Sequence, residues 1–191
     1  MTRAAWAGLL AMSACALTSK AEPRELRYFA PELAAPASTA GEPCARLRIG
    51  RVTAGSELQL AIERRLSPVE LQPYETLRWM ETPDAYARRA VARAVFARPL
   101  AEAITGPSLV LDVDVTAFEE LVHAGHHAGV VALHYELRDD RQVIARGDVR
   151  NERPATDASI EAVVGAIAGA LMASGDDIAG RVVTAACPTR P

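Results

Sequence analysis

The stretch "SLVLDVDVTAFEEL", residues 108–121, alternates apolar and polar side chains with a period of two. Successive residues of a strand point to opposite sides. Leu109, Leu111, Val113 and Val115 therefore share one face, and Asp112, Asp114 and Thr116 share the other. Such a strand belongs to a sheet with one side against a core and one side toward water. Downstream, "HAGVVALHYELRD" continues as a strand with Val131, Leu133, Tyr135 and Leu137 on a common face, and "RQVIARGDV" pairs behind it after the "DD" turn. Upstream lie "RELRYFA" and "ARLRIGRV", then "LAIERRL" and "VELQPYETLRW", which the Ser67-Pro68 turn joins into a hairpin.

Two segments supply the cover. At "TPD", residues 82–84, Thr82 can cap free amides, Pro83 suits the first turn and Asp84 complements the helix dipole. This predicts a helix running to about Arg98, where Pro99 interrupts it. From about Asp157 the spacing turns helical, with Ile160, Val164, Ile167, Leu171 and Ile178 as an apolar stripe. Gly165 and Gly169 weaken that helix by roughly 1 kcal/mol each against alanine, so close approach to the sheet is the expected reason for them. The alanine-rich tail, interrupted by "SGDD", is not expected to span a bilayer. The element order β-β-β-β-α-β-β-β-α gives an α/β fold: a mixed, largely antiparallel sheet with two main helices packed on it.

The 191 residues suffice for one core of ordinary size. Aromatics make up only 5% of the chain while alanine is abundant, so the core must pack through small and aliphatic contacts. A formal charge of -3 with interspersed signs offers no electrostatic footprint for nucleic acid.

The N-terminus has the parts of an export signal: Arg3, the apolar run "AAWAGLLAM", then small residues Ser13 and Ala14 before Cys15. "M-S-A-C" resembles the lipobox of bacterial lipoproteins, with Met12 in place of the usual leucine. That resemblance implies cleavage before Cys15 and acylation of its thiol; the thiolate is the nucleophile the modification requires. An ordinary signal peptide with an incidental cysteine is the alternative. The expected layout is a signal peptide over 1–14, a lipidated tether over 15–23, a single domain over 24–187 and a tail over 188–191. By resemblance to proteobacterial sorting patterns, Ala16 after the cysteine, rather than Asp, implies the outer membrane and its periplasmic face. The remaining cysteines, Cys44 and Cys187, can pair in an oxidising compartment or stand as two unrelated thiols.

Beyond the lipobox the chain resembles the auxiliary lipoproteins of ABC-type transport systems, many of them associated with MCE-type lipid transporters. The resemblance rests on "LRYFAP", "LRIGRV", "IERRLSPVELQPYETLRWMETP", "LVLDVDVTAFEEL" and "GVVALHYELRD", followed by the C-terminal amphipathic helix. Its most specific piece is "YETLRWMETP". It implies a periplasm-facing α/β domain with a mixed sheet, anchored to the membrane by lipid, that assists an envelope transport machine without hydrolysing ATP itself; its implied partners are transporter or MCE-type subunits, and its cargo lipid or another apolar molecule. Departures are the short signal, the alanine-rich composition and Pro99, which leaves residues 99–107 without an assigned element.

No catalytic centre can be assembled from the chain. "HAGHH" holds His123, His126 and His127, but adjacent His126 and His127 would face opposite sides of a strand, whereas zinc needs convergent ligands. Asp112 and Asp114 stand roughly 7 Å apart on one face, a spacing open to paired carboxylates, although alternation alone explains both. There is no phosphate-cradling glycine loop and no nucleophile elbow. The expectation is a non-enzyme without cofactor or metal. Tyr74, Arg78 and Trp79 form an aromatic and arginine group of the kind that anchors partners, with burial of Trp79 under the first helix as the competing reading. The leading function is an auxiliary, scaffolding component of an ABC-type envelope transporter. An outer-membrane assembly lipoprotein and a periplasmic hydrolase are the alternatives.

Overall fold

The computed structural model describes residues 24–34 and 41–188. Eight strands and two helices follow in the order β1 (Arg27–Phe29), β2 (Ala45–Ala54), β3 (Ala61–Ser67), β4 (Glu70–Trp79), α1 (Pro83–Phe96), β5 (Leu100–Glu102), β6 (Leu109–His123), β7 (His126–Arg138), β8 (Val143–Pro154) and α2 (Ile160–Ala186). The expected class holds: one mixed sheet with two helices on it. The ladders β3–β4, β6–β7 and β7–β8 are antiparallel, and the last two are the longest. β1–β4, β2–β5, β2–β6 and β3–β6 are parallel.

β6 is the axis of the sheet. One edge pairs with β7 from Val110↔Arg138 to His123↔His126. The other edge serves two partners in turn: β2 from Leu47↔Leu109 to Ala54↔Val115, then β3 from Glu63↔Glu119 to Arg65↔Leu121. The change of partner coincides with a β-bulge, because Val115↔Leu133 is followed by Ala117↔Ala132 and leaves Thr116 as an extra residue. A bulge shifts side-chain parity by one. Val115 and Phe118 therefore both reach the same core, although the period of two places them on opposite faces.

β2 carries its own irregularity opposite, where Ile49↔Leu111 is followed by Val52↔Val113. The Asp112 carboxylate fills the gap, accepting the Arg51 N–H at 2.6 Å. Gly50 sits under it, and a Cβ there would collide with that carboxylate.

α1 and α2 pack on each other, with α2 across β7 and β8 and α1 over β2 and β6. α1 starts with Pro83 in its first turn, as read from the sequence, but Thr82 makes no side-chain cap. The helix ends at Phe96, before Arg98 and Pro99. α2 is capped by Ser159, whose hydroxyl accepts the Ala162 N–H at 3.3 Å. It runs unbroken through "SGDD", which puts Ser174 and Gly175 on its buried side and Asp176 and Asp177 outside. The helix is thus long and apolar enough, by length and composition only, to cross a membrane, because "SGDD" does not interrupt it as the sequence suggests. Its apolar face is instead the centre of the core, with Val163, Ile167, Leu171, Ile178 and Val182 fully buried.

The glycines of α2 are not all where close approach occurs. A side chain at Gly165 would meet nothing within 4 Å, and one at Gly169 only Arg153, so the expected role for both is corrected. The contact that brings α2 onto the sheet is made from β7: a Cβ at Gly129 would fall on the backbone of Ala166 and Ile167. Backbone cannot yield as a side-chain tip does, so Gly129→Ala is expected to cost about 3 kcal/mol. A thermal melt will read this as a fall of several degrees, and an unchanged midpoint would contradict the packing described.

Candidate functional site

The expected signal peptide, the expected lipidation site Cys15 and the expected tether all lie outside the described residues. The other cysteines are brought together. Cys44, just before β2, is bonded to Cys187 at the end of α2, with Cα atoms 5.8 Å apart and 143 residues between them in sequence.

The aromatic and arginine group does not form a surface patch, and the reading of Trp79 as a partner anchor is corrected. Trp79 is 0% exposed. It meets Phe118 edge to face at 5.1 Å and Tyr86 at 6.1 Å, so α1 and the bulged half of β6 close over it. Arg78 turns back on its own strand, donating to the carbonyls of Tyr74, Leu77 and Glu75. Tyr74 is half-buried and donates its hydroxyl to Glu120 Oε2 at 2.6 Å. Burial comes first among the causes that push its phenol up to about 12, followed by the Glu120 hydrogen bond and charge.

Glu120 is one of three buried carboxylates that the sequence reading missed, with Glu63 and Glu119. The parity shift at Thr116 sends Glu120 to the helix side with Phe118 and Glu119 to the other. Glu120 also holds His127, whose Nδ1 lies 2.5 Å from Oε1. Arg64 stands over the Tyr74 ring at 4.9 Å and donates to Gln72. On the other side, Arg65 grips Glu119 with a two-pronged pair at 2.5 and 2.9 Å. Glu63, the strand partner of Glu119, has its carboxyl pushed up, first by burial and then by the neighbouring Glu119 charge, with Arg78 opposing. One signal for this cluster was present. Phe118 stands in phase with Asp112, Asp114 and Thr116, where a large aromatic has no place on a solvent face.

His126 is exposed opposite His123, and no group of three or more His, Cys, Asp or Glu able to hold a metal ion occurs among the described residues. Asp112 and Asp114 line a shallow groove of about 170 Å³ with Arg51, Thr53, His134 and Glu136. Both acids are engaged: Asp112 with the Arg51 amide and Arg138, Asp114 with the Thr53 hydroxyl at 2.8 Å. Burial works to raise Asp112, but these donors outweigh it and hold the carboxyl below the ordinary range. The pair thus fastens β2 and β7 to β6. Chemically, the groove presents side chains of both charges at the open face of the sheet.

Residues 29–179 match the family model of the ABC-type transport auxiliary lipoprotein component. The chain belongs to this family. Solved structures agree on the fold. A protein of Xanthomonas campestris superposes with a TM-score of 0.72 at 22% identity, covering 83% of this chain and 96% of its own. A hypothetical protein of Chlamydia trachomatis gives a TM-score of 0.55 at 9% identity, covering 77% of this chain and 99% of its own. No curated protein matches the chain. The matched span runs from Phe29, the last residue of β1, through most of α2, and contains the whole buried carboxylate cluster.

Proposed function

We propose that this family member is a non-catalytic scaffold of an ABC-type envelope transporter of the MCE lipid-transport kind, held by acylated Cys15 at the periplasmic face of the outer membrane. The observation that carries the reading is the family match over residues 29–179 directly behind a lipobox-like "M-S-A-C". The buried acids support binding over catalysis. Glu119 and Glu120 are 1% and 0% exposed and already bound to Arg65, Tyr74 and His127, so these two carboxylates hold the fold together rather than face a substrate. The open sheet face, with Arg51, Asp112, Asp114, His134 and Glu136, is the polar docking surface for a transporter subunit.

Cys15→Ser is expected to abolish palmitate labelling and to move the protein from the membrane fraction to the soluble fraction. Labelling that persists in the variant would overturn the anchor. Affinity capture of the acylated protein is expected to bring down a permease, ATPase or MCE-type subunit. Capture without any of them would overturn the partner assignment.

A further inference from the structure

Among the described residues, the most exposed large hydrophobic side chain is Val69, at 94%. It sits in the turn between β3 and β4, where "LSPV", residues 66–69, carries no charge, and Leu66 beside it is 36% exposed. Because β3 runs parallel to β6 with Arg65↔Leu121, this turn lies level with the β6–β7 turn at Ala124 and Gly125. Leu121 and Val122 are only half-buried there. The β3–β4 turn is therefore an apolar point at this end of the sheet, rimmed by the exposed polar side chains of Glu70, His123 and His126.

The path of the chain connects that end to the anchor. β1 is parallel to β4, from Arg27↔Leu77 to Phe29↔Trp79, and β4 begins at the β3–β4 turn. The chain entering β1 thus arrives from the turn side, and Arg24 is ion-paired with Glu75 on the way. From Glu75 back to Val69 is about 20 Å at strand rise. Residues 15–23 can span at most about 30 Å. The length of residues 15–23 is therefore enough for Cys15 to lie level with the tip or up to about 10 Å beyond it.

We propose that the β3–β4 turn, through Val69 and Leu66, inserts into the interfacial layer of the same bilayer that holds the lipid on Cys15. The occupant of this apolar tip is thus a phospholipid surface. The inference rests on the Cys15 anchor for its orientation. It fixes the domain with its long strands rising from the membrane and with the opposite end, marked by Ile104 at 90% exposure, directed away. Ile104 follows β5, whose Glu102 pairs with Leu47 beside the start of β6, so it is a matched exposed control at the far end of the sheet.

The test uses the full-length protein, isolated from membranes and placed in phosphatidylethanolamine and phosphatidylglycerol vesicles with plain or brominated acyl chains. Val69→Trp and Ile104→Trp are made separately. The fully buried Trp79 supplies the same background in both. The emission added by tryptophan at position 69 is expected to fall by at least half in brominated lipid, and that at position 104 to stay unchanged. Mass spectrometry of the same samples reads the anchor independently. Acylated protein without quenching at 69, or with equal quenching at both positions, overturns the tip while leaving the anchor intact. Protein lacking the acyl mass overturns the anchor, and the orientation proposed here falls with it.

Discussion

Trp79→Ala is expected to destabilise the domain by about 3–5 kcal/mol, the range for truncating a large buried aromatic. The side chain is fully buried and touches two other rings, Phe118 at 5.1 Å and Tyr86 at 6.1 Å, which are themselves stacked with an interplanar angle of 3°. Removing the indole leaves a cavity bounded by α1, β4 and β6 together, which no single element can collapse to fill. In a chain of this size the loss reads as a drop of about 10 °C in Tm. The indole also carries a cost of its own: Nε1 is buried with no hydrogen-bond partner among the described residues. Trp79→Phe keeps much of the ring packing and removes that orphan donor, so it should recover a large part of the loss. Urea unfolding of the two variants beside the parent will decide between burial and partner contact. A partner anchor would give normal unfolding in Trp79→Ala together with lost capture of the transporter subunit, and that result would refute the placement of the residue.

Breaking the Cys44–Cys187 bridge is expected to have the other large effect. The 143-residue separation closes a very long loop. The chain-entropy model assigns such a loop about 5 kcal/mol, acting on the unfolded state. In the native state the bridge ties the end of α2 to the entry of β2, where the Cys44 N–H also donates to the Pro99 carbonyl at 2.9 Å. The Cys44→Ala/Cys187→Ala double variant should therefore keep the fold, lower the urea midpoint sharply, and show a steeper dependence on urea because its unfolded chain is less compact. Reduction of the parent should reproduce that curve. Thiol titration of the unfolded, unreduced parent should find neither cysteine free; two free thiols would exclude the bridge.

Both effects converge on the same architectural fact, that distant parts of the chain hold the core jointly. β4 and α1 deliver Trp79 and Tyr86, and Phe118 arrives only because β6 bulges at Thr116. The bulge also explains the buried acids. With Val115 and Phe118 both turned inward, Glu119 and Glu120 occupy successive positions of a strand with neighbours on both edges, and each must find partners inside the protein. Arg65 answers Glu119, while Tyr74 and His127 answer Glu120. This half of the sheet is thus specified by polar pairing as well as by apolar contact.

The amino-acid sequence alone determined the local elements. Alternation in "SLVLDVDV" marks β6, the Ser67-Pro68 turn marks the β3–β4 hairpin, and the helical stripe from Ile160 to Ile178 marks α2. These signals come from neighbours within a few residues, where strand and helix periodicity act directly on side-chain direction. The family likewise could be read in the order of such segments, since order survives when individual residues change. The tertiary structure alone decided which strands meet. β5 has three residues and no alternation, and exists because the start of β2 lends it a partner. The break at Thr116, the exchange of β2 for β3 along β6, the burial of Glu119 and Glu120, and the close seat of α2 on Gly129 all depend on residues far apart in sequence. Their free energy appears only when the whole sheet is assembled, so no local window of the chain contains it.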